Sequence, residues 1–363
     1  TFTNAHAPGV FCAPSRSAIW TGLQASTTGV YKTEVYHHDF PELVPLQMAF
    51  KKGGYNTFGA GKLYHHRSGY VDLRAWDEFY SRSKGMRESG WEMNGYHFTD
   101  VPLPKTYPYS PYYNKTNRKF DIPNPYLEGP TYKEQKAKYR FPYHLEWGPI
   151  ANEQEEEMLD TVRTNWAVDV LARKHDKPFS IGLGMYSPHY PNYAPQKYFD
   201  LYDRDSIVVA PHKADDLEDL PVEIRNHYTK RAKDHHELEK LAAVKDATHA
   251  YLASISYADA MLGRIMDAVE ASPYKDNTLI VFWSDQGFHH GEKAHWGKHT
   301  LWDKTTRVPF IWSGKGIPKN KRINTTVSLI DMYPTLRDIA NLPMQDRLDG
   351  VSLAGILKNP ALA

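Results

Sequence analysis

Apolar and polar positions along the chain follow helical and strand-like periods in turn. A short helix is predicted over 13–23, with Pro14 in its first turn and Gly22 at its end. Longer segments with helical spacing of apolar residues are 43–52, 153–174, 237–271 and 329–340. Apolar runs that predict strands are 55–61, 179–185, 277–283 and 308–312. Because strands and helices alternate, we expect an α/β fold with a largely parallel sheet.

Two segments lack either period. Residues 68–149 are rich in tyrosine, proline and asparagine, and connections of this length are usually functional insertions or disordered. Residues 203–236 are charged and irregular. With no internal repeat, we expect one catalytic domain over 1–363 with an insertion at about 68–149. Neither end has the pattern of a natural terminus or a signal peptide, so we expect the domain to be incomplete at both ends.

Composition places the chain among ordinary globular proteins. Of its 363 residues 41% are hydrophobic, and 44 Lys and Arg against 43 Asp and Glu leave a net charge of +1. This balance provides no overall field that would favour nucleic acid or an anionic membrane. No apolar run approaches the ~20 residues of a membrane-spanning helix. The single cysteine, Cys12, excludes internal disulfides and a cysteine-rich zinc site.

Cys12 opens the first candidate site. It stands at the start of the predicted helix, where backbone N–H groups and the helix dipole favour an anion. Arg16 follows one turn later on the same face, so its guanidinium can share an oxyanion with position 12. The alternative is a buried cysteine that only packs. A cysteine phosphatase is a weak rival, because its arginine would stand six residues after the cysteine, where this chain has Ala18.

Two further segments place cationic or titratable groups just beyond predicted strands. Gly59–Gly61 is predicted to turn there, letting a ligand approach the backbone, and Lys62 then offers a charge to an anion. The residue order is not that of a Walker A loop. His189 lies between two prolines, which suits a positioned general acid. Taken singly, the first segment is equally compatible with a glycine turn beside a solvated lysine, and the second is more typical of an ordinary loop histidine.

The richest segment is 283–298, which continues from the clearest predicted strand. Asp285 should project into the crevice at the carboxyl end of that strand. Its carboxylate and the amide of Gln286 are oxygen donors, which suit calcium or magnesium better than zinc. Lys298 follows in a stretch that holds four histidines within eleven residues. Core packing does not explain such a density on a loop, so we interpret the segment as functional.

Together these segments resemble the type I sulfatases of the alkaline phosphatase superfamily. Residues 12–16 with Thr21–Gly22 are similar to the C-x-P-S-R signature and its trailing T-G. Residues 61–65 match the G-K-x-x-H segment, 187–189 the loop with the second histidine, and 284–298 the S-D-x-G…W-x-K block. The similarity is greatest to the iduronate-2-sulfatase-like branch. It implies an alkaline-phosphatase-like fold, with a mostly parallel central sheet flanked by helices.

The resemblance implies a sulfuric ester hydrolase that removes sulfate from a sulfated carbohydrate. In this family a formylglycine-generating enzyme oxidises the signature cysteine, here Cys12, to formylglycine. One hydroxyl of the hydrated aldehyde attacks sulfur and expels the sugar alcohol, and the other drives collapse to the aldehyde, which releases sulfate. Secretion or export to the periplasm is also implied.

Catalytic roles follow from the same resemblance. Arg16 would fix the nucleophile, and Lys62 and Lys298 would bind the sulfate oxygens. His189 and Lys298 would assist the leaving oxygen. His65 would take the proton from the second hydroxyl.

The resemblance also implies a calcium ion held by Asp285, Gln286 and the position-12 oxygen derived from Cys12. Substrate-binding candidates, beside Lys62, His189 and Lys298, are His289 and His295. The aromatic span 96–143 with His37 and His38 is a further candidate for sugar contacts. The alternative is that these aromatic residues pack the insertion against the core.

The chain departs from the family pattern in its metal site. Gln286 stands where many relatives have histidine or asparagine, and an amide oxygen still coordinates calcium. The family's first strand ends in an aspartate pair upstream of the signature, whereas this chain starts eleven residues before Cys12. Asp215–Asp216 lies in a charged stretch and is interpreted as a loop cap, not a substitute. A C-terminal subdomain is also expected to be missing, and we expect weak calcium binding.

Two other functions remain open from the sequence. A phosphate or phosphonate ester hydrolase of the same superfamily would use a similar cradle for a tetrahedral anion. A non-catalytic, carbohydrate-binding relative is the other alternative. The presence of all the matching residues argues against a decayed site.

Overall fold

The structure is a computed structural model that describes residues 1–32, 34, 36–65, 71–80, 113–114, 119–120, 147–190, 192–213, 215–343, 345 and 347–363. Most of the predicted insertion at 68–149 lies outside the described residues. Its existence and its boundaries therefore stay predictions.

Strands and helices alternate through the described residues, as the sequence pattern predicts. The strands are β1 Ala5–His6, β2 Asn56–Gly61, β3 Glu78–Tyr80, β4 Tyr113–Asn114, β5 Lys119–Phe120, β6 Trp147–Ile150, β7 Phe179–Gly184, β8 Asn192–Pro195, β9 Leu279–Trp283, β10 His289–His290, β11 Trp296–Gly297, β12 Phe310–Gly314 and β13 Val327–Ser328. The helices are α1 Cys12–Thr21, α2 Ala25–Thr28, α3 Tyr36–Asp39, α4 Leu46–Lys52, α5 Leu159–Ala172, α6 Gln196–Phe199, α7 Val222–Arg231, α8 Lys233–Lys240, α9 Val244–Ala271, α10 Asp303–Thr306, α11 Met332–Ala340 and α12 Ala354–Lys358.

Parallel pairing dominates the larger strands, in agreement with the predicted fold class. β2 lies between β3 and β7 and is parallel to both, with Gly61 opposite Gly184. β1 with β13 and β6 with β8 are also parallel pairs. β9 and β12 instead run antiparallel, with Trp283 opposite Phe310. The alternation of strands and helices predicts parallel pairing as the general rule, but it does not mark which pair departs from the rule, so this pair was not foreseen.

Two predicted helices are interrupted. The segment 153–174 begins as a 3₁₀ turn over Asn152–Glu157, and Met158 is extended before α5 starts. The predicted helix 237–271 breaks at Ala242, which adopts a left-handed φ of 51°. Leu238 before the break and Ala247 after it are both 1% exposed and belong to one core cluster. The change of direction therefore lets both sides of the break bury apolar residues.

Two further expectations were wrong. Part of the stretch 203–236, expected to be irregular, is helical: α7 spans Val222–Arg231, and α8 begins at Lys233. Gly59–Gly61, expected to turn, belongs to the strand β2. At Gly59 a Cβ would lie 2.6 Å from the Phe79 ring and 2.7 Å from the Trp76 ring. Gly59 is therefore needed because two aromatic rings pack against the strand, whereas Gly61, with its left-handed φ of 74°, is the last residue of β2.

The strands that lead to the candidate site open on one large cavity. Within the described residues β7 pairs only with β2, and β9 only with β12. Both strands line a cavity of about 1860 Å³, together with Lys62, His189 and Lys298. The side chains that follow the carboxyl ends of β2, β7 and β9 thus meet at the same opening.

Of the helices that the structure describes, none combines the length and the apolar character required to cross a lipid bilayer.

Candidate active site

The centre of the site is the first residue of a buried helix. α1 begins at Cys12, as predicted, after the extended residue Phe11, and ends before Gly22 with its left-handed φ of 68°. All ten residues of the helix are buried, and Cys12 itself is 1% exposed. A helix start leaves backbone N–H groups without intrahelical partners, so this end of α1 suits a negative charge.

Polar groups from all the predicted segments converge on the Cys12 sulfur. Lys298 Nζ lies 3.1 Å from Sγ, and Gln286 Nε2 lies 3.5 Å from it. His65 and His189 also hydrogen-bond to the cysteine side chain. The structure therefore brings together four segments that are up to 286 positions apart in the chain.

These groups decide the charge at position 12. Burial by itself raises the pKa of the Cys12 thiol. The charges of Lys62 and Lys298 and the hydrogen bonds from His189 and His65 outweigh burial, so the pKa lies well below its usual value. The Cys12 sulfur occupies the place of any anionic oxygen that position 12 would carry. The site therefore stabilises negative charge at this atom.

The cations themselves are affected by burial. Burial lowers the pKa of Lys62 to about 8, although the neighbouring Cys12 and Asp285 charges oppose the shift. Burial and the Lys62 charge also lower the pKa of His189. The ring nitrogen Nδ1 of His189 lies 2.6 Å from the carbonyl oxygen of Tyr190, which can only accept a hydrogen bond. Nδ1 therefore carries the proton, and Nε2 is left as the atom that can exchange one.

Arg16 joins two loops of the site. Its Nε donates to Asp285 Oδ2 over 2.8 Å, and its Nη1 donates to the carbonyl oxygen of Lys62. Both side chains of the ion pair are about 10% exposed. Sequence reasoning expected Arg16 to share an oxyanion with position 12. The structure shows these two donors engaged with the neighbouring loops, which makes Arg16 a positioning residue in this arrangement.

The donors expected to hold calcium fit that ion in chemistry. Asp285 provides a carboxylate, and Ser15 Oγ fixes its backbone by donating to its carbonyl oxygen over 2.6 Å. Gln286 Oε1 is buried without a hydrogen-bond partner in the described part of the chain. An unpartnered buried carbonyl oxygen is costly unless a cation or water binds it. Asp285, Gln286 and position 12 nevertheless provide only part of the six to eight oxygens that calcium takes.

The predicted histidines of the 289–299 stretch lie beside the site. His289 is 1% exposed, and its Nε2 lies 2.8 Å from Thr300 Oγ1. His295 lines the cavity, and its Nε2 lies 2.8 Å from the carbonyl oxygen of Lys298. Both rings therefore support the loop that carries Lys298. A role in contacting the substrate stays a prediction for His289 and His295.

Of the other predicted sugar contacts, the structure describes the side chain of His37, which does not line the cavity. His37 is 1% exposed and packs edge-on against Tyr36. The side chain of His38 and almost all of the span 96–143 lie outside the described residues. Asp216 lies in a turn, and its Oδ2 accepts a hydrogen bond from the backbone N–H of Lys293 over 3.1 Å, so it fixes the stretch between Asp285 and Lys298.

Asp160 was missed by sequence reasoning. This residue of α5 is 4% exposed and accepts hydrogen bonds from the backbone N–H groups of Tyr186 and Ser187, each at 2.8 Å. It therefore fixes the loop that presents His189. Asp160 lies 27 positions before Ser187 within a predicted helix, so no local pattern could have revealed it.

The fold and the site define an α/β protein of alkaline-phosphatase-like architecture with an anion site built around a cysteine. Residues 1–342 match the family described as Sulfatase. A sulfatase from Formosa agariphila is 34% identical over 374 residues, covering 100% of this chain and 66% of the relative. The chain therefore belongs to the sulfatase family.

More distant relatives agree with this assignment. Iduronate 2-sulfatase of Mus musculus is 25% identical, covering 95% of this chain and 63% of its own length. The chain thus spans about two thirds or less of these curated relatives.

Solved structures share the fold. A phosphonate monoester hydrolase from Silicibacter pomeroyi has a TM-score of 0.67 at 18% identity, over 98% of this chain and 69% of its own. A protein solved with its substrate D-glucosamine-2-N,6-O-disulfate has a TM-score of 0.62 at 16% identity, over 99% and 72%. At these identities the likeness establishes the alkaline-phosphatase-like fold alone.

Proposed function

We propose that this chain forms the catalytic domain of a sulfate ester hydrolase acting on a sulfated carbohydrate. The observation that carries the proposal is the convergence of Lys62, Lys298, His65 and His189 on the buried side chain of Cys12. A sulfate monoester is an anion whose transition state carries negative charge on oxygen. Fixed cations in a site that excludes water stabilise such charge strongly.

The nucleophile is proposed to be formylglycine, made from Cys12 by a formylglycine-generating enzyme that recognises the segment 12–16. Formylglycine supplies a carbon with two hydroxyls when hydrated, one to attack sulfur and one to expel sulfate afterwards. The site supports such an oxygen because it lowers the cost of negative charge at position 12. Overall, sulfate ester and water give the sugar alcohol, sulfate and a proton.

The side chains of the chain itself would bind the ester and move protons. Lys62 and Lys298 hold the sulfate oxygens from two directions. A sugar alkoxide is a poor leaving group, so the leaving oxygen needs a proton. The doubly protonated form of His189 would deliver it from Nε2, with help from Lys298, while Nδ1 keeps its proton on the Tyr190 carbonyl oxygen. His65 hydrogen-bonds to position 12 and takes the proton of the second hydroxyl there.

Asp285, Gln286 and the oxygen at position 12 would hold calcium. The unpartnered Gln286 Oε1 supports this assignment. When bound, calcium would supply positive charge close to the sulfate oxygens as negative charge develops on them.

A carbohydrate substrate is supported by the relatives. One is named for a sugar acid, iduronate, and a structural neighbour was solved with a disulfated glucosamine. His289 and His295 remain the proposed sugar-side residues near the cleft. Secretion or a periplasmic location accords with an extracellular or polymeric substrate of this kind.

The test combines chemistry at Cys12 with substrate choice. Protein from a host that contains the formylglycine-generating enzyme is digested, and the peptide carrying Cys12 is weighed. Conversion to formylglycine lowers its mass by about 18 Da, since H₂S is lost and O is gained. The same preparation is assayed on matched aryl sulfate and aryl phosphate, with Cys12→Ala as the inactive control.

We expect the mass decrease and a clear preference for the sulfate ester, both lost in Cys12→Ala. Preference for aryl phosphate or phosphonate would assign the chain to the other hydrolases of this fold. Unmodified Cys12 in protein from such a host, or full turnover by Cys12→Ala, would contradict the mechanism. Retention of sulfated sugar without hydrolysis would indicate a binding protein.

A further inference from the structure

Three potential metal ligands cluster outside the candidate active site. His235 and Glu239 lie one turn apart on α8, so their side chains share one face of the helix. His212 faces them from the extended segment that precedes the turn at Asp215. Their ligand atoms all lie within 4.8 Å of one another.

The distances match those of a tetrahedral site. Glu239 Oε1 lies 3.3 Å from His235 Nε2 and 3.5 Å from His212 Nδ1. Zinc bonds of about 2.0–2.2 Å at tetrahedral angles separate neighbouring ligand atoms by roughly 3.3–3.5 Å. Two of the three distances between ligand atoms thus already match those of a zinc site.

Burial provides an independent observation. His235 is 3% exposed; its Nδ1 has no hydrogen-bond partner in the described part of the chain, and its Nε2 faces the Glu239 carboxylate. The two imidazoles meet edge to face, with ring centroids 4.9 Å apart. A buried imidazole normally binds a partner through at least one nitrogen. A metal ion placed between the His235 ring, the Glu239 carboxylate and the His212 ring would give the His235 nitrogen a partner.

We propose that His212, His235 and Glu239 bind a zinc ion, with water as the fourth ligand. Two nitrogen ligands and one carboxylate suit zinc, whereas calcium selects oxygen ligands. This site is separate from Asp285 and Gln286 and does not depend on the proposed hydrolysis.

Zinc bound here would stabilise the stretch between Asp285 and Lys298. The ion would join the segment around His212 to α8, because one ligand lies in that segment and the other two, His235 and Glu239, lie in the helix. His235 also packs against the turn at Gly291, where an added Cβ would lie 3.1 Å from the ring. That turn belongs to the stretch between Asp285 and Lys298. The ion would therefore act as a structural brace for this stretch.

The test is direct binding of zinc to the whole chain. Protein is stripped with a chelator and titrated with Zn²⁺ against a chromophoric competitor, and then with Co²⁺ for visible spectroscopy. We expect one tight site that Ca²⁺ does not displace, and cobalt bands of tetrahedral intensity. The melting temperature should rise with Zn²⁺, because a ligand of the folded state stabilises it.

Variants assign the ligands. His212→Ala and Glu239→Gln should weaken zinc binding by at least about 100-fold, since even changes around metal ligands cost 10–100-fold. His227→Ala removes an exposed histidine of the neighbouring helix and should leave binding unchanged. Circular dichroism without metal confirms that each variant is folded. Wild-type zinc affinity in both ligand variants, or no zinc binding by the unaltered chain, would overturn the proposal. Neither result would affect hydrolysis through Cys12, which is assayed separately.

Discussion

Lys62 is buried beside Cys12, and its ammonium lies 4.8 Å from the centre of the Tyr186 ring. Burial lowers its pKa to about 8, so Lys62 is charged below that pH and becomes neutral above it. If this ammonium binds the sulfate group, kcat/KM should fall as pH rises through about 8. Lys62→Arg should remove this basic limb, because arginine stays protonated, while lowering activity at neutral pH.

The pH profile of kcat/KM on an aryl sulfate checks this prediction. Lys304→Arg is the matched control, since Lys304 is 63% exposed and pairs with Glu292 away from Cys12. The control should keep the wild-type profile. A basic limb that persists unchanged in Lys62→Arg would show that another group titrates.

Replacement of Arg16 by lysine tests whether the residue acts by its position or by its charge. Arg16→Lys keeps the charge, but an ammonium cannot bind both Asp285 Oδ2 and the Lys62 carbonyl in the geometry of a guanidinium. One buried acceptor then loses its partner, which should cost about 1–3 kcal/mol of unfolding free energy. Without the arginine bridge, the loops that carry Lys62 and Asp285 would move out of their present positions. Such a displacement of groups in the site should lower kcat/KM about 10²-fold.

Denaturant unfolding and steady-state kinetics measure the two effects of Arg16→Lys. Arg204→Lys is the control, because Arg204 forms an exposed pair with Asp246 far from the site. It should leave both stability and turnover unchanged. Wild-type kinetics in Arg16→Lys would show that the bridge between the two loops is dispensable.

The residues in contact with Cys12 could be predicted because each lies in a short segment with a recognisable order. Lys62, His189 and Lys298 each follow a strand, and strand ends converge in α/β folds. Asp160 could not be predicted. Its contribution is a pair of hydrogen bonds to Tyr186 and Ser187, and such a contact exists only once α5 is packed beside β7.

At the scale of elements, the junction of β2 and β7 positions Lys62. A Cβ at Gly184 would collide with the backbone of Lys62, so only glycine permits this approach. Gly184→Ala should therefore cost about 1–3 kcal/mol, as overpacking does, and should also reduce turnover by displacing Lys62. Both strands should remain, since five further residue pairs, from Asn56 opposite Phe179 to Ala60 opposite Leu183, keep the register.

Gly263→Ala is the matched control for Gly184→Ala. Gly263 lies in α9, and an added Cβ would meet no atom within 4 Å. Alanine in an open helix position should stabilise by about 0.5–1 kcal/mol with no effect on activity. Thermal unfolding and kinetics of the two variants check the contrast. Equal stability of the two variants would show that the junction adapts without cost.

Element boundaries show where local sequence is informative. α1, β7 and β9 were predictable, because an apolar period or run ends at a proline, a glycine or a polar residue. The interruptions at Met158 and Ala242 were not, because the apolar period continues across both positions. At Ala242 the chain turns so that Leu238 and Ala247 reach the same core, and this preference belongs to packing rather than to propensity.

At the scale of the whole molecule, the α/β class followed from alternation alone, whereas the antiparallel β9–β12 pair depends on contacts between distant segments. The distribution of charge likewise differs between the whole chain and the site. The net charge is +1, so long-range attraction of an anionic substrate is weak, whereas Lys62, Lys298 and Arg16 are concentrated around Cys12. Binding energy for the proposed sulfate ester would therefore have to come from contacts in the cleft.

This distribution predicts a small effect of salt on turnover. The Debye length shrinks well below the size of the protein between about 0.05 M and about 0.5 M salt, but groups in direct contact are screened little. We expect kcat/KM for a sulfated oligosaccharide to change less than about threefold over this range, as it should for a small aryl sulfate. The comparison of the two substrates isolates long-range electrostatic attraction, because only the oligosaccharide carries charges outside the cleft. A steep loss confined to the oligosaccharide would require a cationic surface beyond the cleft, and the net charge of +1 would then conceal a strongly asymmetric distribution.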